Sequence, residues 1–432
     1  MSIGDFFASH NFNLLQLLFV AIGYLMPIPL GIAALRLWHH YRQERFIMGI
    51  KWVLLEVQVP RDVIKSPAAM ELVLSNAFYQ KSNKGFWEQY IQGAPWFWFS
   101  LEIASIDGKV HFFIRTPTRM RDLVETQIYA QYPQAKVVEV DDYTMHVPQY
   151  TKNGDWYMWG CEYNKMKEDF LPIRTYRDME EMDSGTKEEY KIDPITPLIE
   201  FLGSLAKGQQ MWVQIVIRQN IKMYHSHKTG KHINFYDATY EYISNMLLPY
   251  TRIQKNDNGD TMGMDMRTPE PLKNKVKVMV ENASLIHFDC GIRVVTLSDK
   301  RLVSEDQFNN LRRASRLIWR QYAQPDINEL NRINSTQFDA PWSDPTGLAL
   351  TKYKRRTLNF FRMRTFFHPP LQYSIEYPKL LTAFFPSGSP KIFVMSTREL
   401  ATIFHFPGMV SETPSFKRIE SKIAKPPANL PT

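Results

Sequence analysis

Arg312, Arg316 and Arg320 recur every four residues, with Arg313 beside them. That spacing lines side chains along one face of a helix. Downstream, the stretch KYKRRTLNFFRMR carries Lys354, Arg355 and Arg356 with Lys352, Arg362 and Arg364, interleaved with Tyr353, Phe360 and Phe361. Residues 299–364 hold thirteen basic and seven acidic side chains, a local excess in a chain whose net charge is +8. Cations at this density can track phosphates while aromatic rings stack on exposed bases. The alternative chemistry is plainer: a solvated helix face that meets a subunit or lipid headgroups.

Catalytic patterns are harder to find. A phosphate-binding loop needs glycines at both ends, a lysine for the outer phosphates and a Ser or Thr for magnesium. The nearest stretch is Lys228-Thr229-Gly230-Lys231, but His225 stands where the first glycine belongs and His232 follows the lysine. His225, His227 and His232 could hold zinc, yet no HExxH motif or paired cysteines accompany them, and a solvated hairpin tip accounts for them. Asp141 and Asp142 end a strand-like run and could bind magnesium, although adjacent acids at a strand end are usually just exposed. Cys161 and Cys290 are too few for a disulfide framework or a four-ligand metal site, and neither has an activating neighbour. The residues therefore predict a non-enzyme with no cofactor and no bound metal.

Those candidates must be positioned by a chain of 432 residues, long enough for two or three domains. Residues 14–35, LLQLLFVAIGYLMPIPLGIAAL, carry no charge over about the span of a bilayer core. Arg36, Arg42, Arg45 and Lys51 follow, against Asp5 alone upstream. The positive-inside rule then predicts a single-pass transmembrane anchor (1–48 with its juxtamembrane segment), N-terminus outside and body cytoplasmic.

Residues 49–150 read as β-α-β-β-α-β. KWVLLEVQVP is a strand; Ser66-Pro67 caps a helix with Met70, Leu74, Ala77 and Phe78 on one face; two strands meet at Asp107-Gly108; a helix carries Met120, Val124 and Ile128; and AKVVEV closes the unit. That is the split, ferredoxin-like order. Residues 151–330 predict a second such α+β unit. Its strands are WYMWGCEY, QMWVQIVIRQ, KHINFY and SLIHFDCGIRVVTL, with a polar insertion at 222–268 and a capping box at Ser304 and Gln307 opening a helix through Tyr322. Residues 165–193, rich in acids, read as an exposed linker. Residues 331–408 form an irregular aromatic and basic segment with a short helix, and 409–432 a proline-rich tail. The fold class expected is α+β: one transmembrane helix, two ferredoxin-like units and a linker.

RDLVETQIYAQYPQAKVVEVDDYT (Arg121 to Thr144), RELATIFHFPG (Arg398 to Gly408) and the KPPANLP tail together resemble the N-terminal, membrane-anchored region of bacterial conjugation and type IV secretion ATPases of the HerA/FtsK superfamily. The resemblance runs from the anchor to the terminus and leaves out the insertion at 222–268. In that family the Leu-Ala-Thr-x-x-His-Phe-Pro segment and proline linker lead into the P-loop ATPase domain, whereas this chain ends there. The resemblance therefore implies a non-catalytic assembly or docking component at the bacterial inner membrane. It would recruit or position a P-loop ATPase supplied in trans, with homo-oligomerisation as a further expectation. The docking candidates are Leu400, Phe404, His405, Phe406, Pro426 and Pro427. The second expectation is a tethered nucleic-acid-binding protein acting through 299–364.

Overall fold

The computed structural model describes residues 23, 26–60, 65–79, 84–182, 193–226, 228–255, 261–266, 268–337, 344–370 and 391–407, the backbone alone at 251–266. They fall into two compact units, one of the described residues within 1–50, 84–95 and 370, the other of the rest.

In the first unit, helix α1 (Pro27–Met48) starts with proline in its first turn. Arg42 Nε donates to the Ile91 carbonyl at 3.0 Å, and Gly93, at φ +73°, sits where a Cβ would come within 2.7 Å of the Arg42–Gln43 backbone. Half of the expected transmembrane stretch, 14–22 with 24 and 25, lies outside the described residues. Among the described residues no helix is long and apolar enough to cross a membrane. The expected anchor is corrected on that finding: α1 runs on through Arg36, His39, His40, Arg42, Glu44 and Arg45, polar groups that a hydrocarbon core would have to desolvate.

The second unit is built on one nine-stranded antiparallel sheet. Strands β1 (Trp52–Gln58), β2 (Trp98–Ile106), β3 (Lys109–Pro117) and β4 (Lys136–Glu139) lie in the order β2-β3-β1-β4, with helices α2 (Pro67–Val73) and α3 (Arg121–Gln131) as crossovers. Ser66 caps α2 by accepting from the Ala68 N–H, and Asp107 and Gly108 both take positive φ, as a two-residue hairpin turn requires.

The second set is β5 (Trp156–Lys165), β6 (Gln209–Gln219), β11 (His287–Asp299) and β12 (Leu330–Ile333), in the order β12-β5-β11-β6. This changes the strand assignment. The third position belongs to β11, which pairs with β6 from Phe288↔Gln219 to Ser298↔Gln209. KHINFY supplies only a two-residue strand, because Asn234 accepts from the Asp237 N–H and starts a helix at Phe235. Everything between β6 and β11 is insertion: the hairpin β7 (Tyr224–His225) with β8 (His232–Ile233), α6 (Phe235–Leu247), the hairpin β9 (Thr251–Lys255) with β10 (Thr261–Met266), and α7 (Glu270–Ala283). The two sets are not separate bodies. β2 pairs with β6 from Trp98↔Arg218 to Ile106↔Gln210, fusing them into one sheet.

Period-two alternation gives the sheet two unlike faces. Leu55, Ile114, Leu101, Ile215, Ile292 and Tyr163 are partners in turn across six strands. With their neighbours they form the main core under α2, α3, α5 (Thr196–Gly203), α8 (Glu305–Ser315) and α10 (Thr397–Ile403). One residue along, the opposite face carries Glu102, Gln214, Arg293 and Glu162 as successive partners, all buried. This polar row lies under α9 (Leu348–Met363) and the residues after it. Gly160 and Gly291 make that approach possible: a Cβ would meet Thr357 Cγ2 at 2.9 Å and the Phe366 ring at 2.3 Å.

Two further expectations change. The segment 165–193 is not a loose linker where it is described, since Lys165, Phe170, Leu171, Ile173 and Tyr176 are buried and α4 (Tyr176–Met182) follows. Residues 348–363 are a regular helix, not irregular chain. β13 (Phe393–Ser396) pairs with β11 beyond the end of β5 and leads directly into α10.

Candidate anion-binding pocket

Three elements meet at the open edge of β5. β12 pairs only with Glu162–Lys165, and the loop after it is held when Thr336 Oγ1 accepts from the Gly160 N–H at 2.8 Å. Past that point the β5 edge lines a cavity of about 250 Å³ with Met158 and Trp159. Phe308 and Arg312 enter from α8; Gly347, Leu350 and Lys354 enter from α9; Thr336, Gln337 and Asp344 complete the wall.

Local sequence explains each placement. The Ser304–Gln307 capping box starts α8, so Phe308 and Arg312 share a face one turn apart. Phe308 stacks on Tyr157 at 5.2 Å, which holds the Arg312 side of the helix toward β5. Helix α9 begins at Gly347, at φ +70°, where Asp344 accepts from the Leu350 N–H at 2.7 Å. Its inward stripe is Leu350, Lys354, Thr357, Leu358 and Phe361 at helical spacing, a lysine within an otherwise apolar and threonine face.

Cations outnumber acids around the cavity, with Asp344 in its wall and Glu305 beside Arg312. Burial, then the charges of Arg312 and Lys300, push the Lys354 ammonium down to about 8. Burial, Arg313 and Arg332 lower Arg312, with Glu305 opposing. Among the described residues Lys354 Nζ reaches the Tyr150 hydroxyl, at 3.4 Å, and lies 4.8 Å from that ring. The buried Arg312 Nε has no hydrogen-bond partner among the described residues. Such an arrangement carries an electrostatic cost that a bound anion would relieve.

The polar row in the sheet is the opposite case. Arg364, in the left-handed region after α9, donates Nε–H to Glu102 Oε1 at 2.9 Å and Nη2–H to Asp142 Oδ1 at 2.9 Å. Tyr143 and Ser100 also donate to Glu102, while Arg293 donates to Glu162 at 2.8 Å. Its charges are matched internally, so it fastens α9 to the sheet instead of presenting a site.

The predicted basic residues therefore divide. Arg312 and Lys354 come together in the pocket, and Arg316 stands next to it, donating Nη2–H to Gln337 Oε1 at 2.6 Å. Arg320 lies on a separate 3-10 turn and is exposed, because α8 ends at Ser315, whose hydroxyl bonds back to the Leu311 and Arg312 carbonyls. The expected stripe through Tyr322 is thus broken after one member. Arg355 is exposed and donates to the Tyr150 carbonyl at 2.7 Å; Arg356 lies 5.0 Å over the Phe360 ring. Lys300, Arg332, Trp159 and Asp344 were missed, although Asp-Pro-Thr-Gly at 344–347 is a turn-and-cap signal in its own right.

The docking candidates are corrected. Leu400, Phe404, His405 and Phe406 are buried: Phe404 and Phe406 pack edge-on against Phe112, and His405 Nε2 lies 2.6 Å from Asp193 Oδ1. Pro426 and Pro427 lie outside the described residues. His225 and His232 face one another across a hairpin with ring centroids 5.8 Å apart, and His227 is outside the described residues. Among the described residues no group of three or more His, Cys, Asp or Glu side chains gathers as a metal site. Asp142 is taken by Arg364, and burial pushes both cysteine thiols up, away from the reactive thiolate. No known family model matches the chain, and no curated protein matches it.

Proposed function

We propose that the chain is a non-catalytic nucleic-acid-binding component that engages phosphates through the Arg312–Lys354 pocket. One observation carries this reading: two cations from different helices converge on a cavity where, among the described residues, neither forms an ion pair. Exposed Arg313, Arg320, Lys352 and Arg355 extend the basic character around 299–364, the pattern that electrostatic tracking of a phosphate backbone needs. Anisotropy titrations of a labelled single strand at rising salt test it. Binding that weakens steeply with salt, and weakens further in Arg312→Ala and Lys354→Ala, is expected; absent or salt-insensitive binding overturns it.

The resemblance of 121–144 and 398–408 to the non-ATPase region of conjugation and secretion motors supports placing this activity in a translocation machine. In that setting the chain works beside a P-loop ATPase and assembles as a homo-oligomer. A pull-down with the full chain as bait should recover a P-loop ATPase, and its repeated absence counts against the assembly.

A further inference from the structure

We propose that the pocket receives a terminal phosphomonoester, the end of a nucleic-acid strand, in preference to an internal phosphodiester. This rests on the nucleic-acid reading above and sharpens it.

Charge comes first. Arg312 and Lys354 line the cavity, Lys300 adds its charge at Lys354, Arg313 and Arg332 add theirs at Arg312, and Glu305 and Asp344 are the opposing acids. Asp344 is already committed to the start of α9 through the Leu350 N–H. A diester offers this cluster one negative charge, whereas a monoester carries close to two at neutral pH.

Shape points the same way. The cavity, about 250 Å³, lies at or below the lower limit of ordinary small-molecule pockets, roughly 300 Å³. It has room for a phosphate with its sugar, not for a run of nucleotides. Met158 and Trp159, which line it, are both buried in the sheet. A strand end fits a volume this small better than a continuous run of backbone does.

Hydrogen bonding completes the match. The three outer oxygens of a monoester need several donors. Among the described residues Arg312 Nε–H is buried and unused, Lys354 has N–H donors beyond its long contact to Tyr150, and the Thr336 hydroxyl hydrogen is not consumed by the bond it accepts from Gly160. These donors come from three elements, each fixed by its own cap or pairing.

The experiment uses the full chain and short single-stranded oligonucleotides of one sequence bearing a 5′-phosphate, a 3′-phosphate or neither, followed by fluorescence anisotropy. A phosphorylated end should bind on the order of tenfold more tightly than the unphosphorylated strand. Inorganic phosphate should compete that advantage away, and Lys354→Met should erase it. The wild-type comparison needs no variant to fold. Equal, salt-sensitive binding of all three strands overturns the end preference while leaving the nucleic-acid reading in place. Binding of inorganic phosphate or a nucleoside monophosphate, with no binding of any strand, overturns both.

Discussion

Arg364 and Glu102, 262 residues apart, meet as a fully buried ion pair at 2.9 Å that ties the end of α9 to the centre of the sheet. Burial alone would raise the Glu102 pKa; the Arg364 guanidinium, with hydrogen bonds from Ser100 and Tyr143, outweighs it and holds the carboxyl below its ordinary range. Asp142 is lowered by the same arginine against its own burial. Carboxylates depressed in the folded state stabilise it above their unfolded pKa, near 4, and that contribution is lost as pH falls through the folded value. Arg364→Met strands a buried charge and should cost about 3–5 kcal/mol. Urea melts from pH 3 to 7 should show the variant's deficit largest near pH 7 and shrinking as pH falls, because the stranded Glu102 takes up a proton that the paired carboxylate refuses. Unchanged melts would mean that the pair does not hold α9.

Gly291→Ala should destabilise the same region by steric means. The added Cβ would lie 2.3 Å from the Phe366 ring, so the segment after α9 must shift, at a cost of about 1–3 kcal/mol. Adding Phe366→Ala to Gly291→Ala should cost less than the two single changes summed. Strict additivity in thermal melts would refute the contact.

Lys354→Met separates stability from binding. The folded state holds Lys354 down to about 8, so above that pH it releases a proton that the unfolded chain keeps until near 10.5. Stability conferred by this site therefore rises from about pH 8 to 10.5, and at pH 7 the charged lysine is a burden. The methionine variant should gain on the order of 1–2 kcal/mol at pH 7, lose that pH-dependent rise, and bind anions more weakly. A variant that is less stable at pH 7 would contradict the strained-cation account.

His287 gives a second pH signature. Burial first, then Lys165, push its imidazole down to about 3, and its Nε2 has no hydrogen-bond partner among the described residues. Between about pH 6.5 and 3 the unfolded chain binds a proton that the folded site refuses, so stability falls as pH drops through that window. His287→Phe, placed against Phe235, should flatten the slope between pH 4 and 6.5 in denaturant melts.

Leu400→Ala and Phe404→Ala test the reassignment of the C-terminal helix. As core residues each should cost about 2–5 kcal/mol, with a matching fall in melting temperature. Near-neutral stability would return them to the surface.

The apolar run QMWVQIVIRQ, buried on both faces, and the helical spacing of Met70, Leu74, Ala77 and Phe78 were readable because a short continuous apolar run marks a covered strand and burial of one helix face imposes a period. The same local logic fixed the hairpin at Asp107-Gly108 and the caps at Ser66 and Ser304. Three things needed the folded chain. KHINFY looks like a strand locally, but the length of β11 and its pairing with β6 claim the third position, and pairing energy accrues over long registers. Phe404 and Phe406 look like a sticky surface until Phe112 is seen beneath them, because hydrophobicity marks burial without naming the neighbour. Arg312 and Lys354 advertised positive charge from the outset. That they share one cavity, and that Arg364 from the same basic run is spent on Glu102, are long-range facts. Charge is a property of a residue; the partner that neutralises it, or its absence, is decided by packing alone.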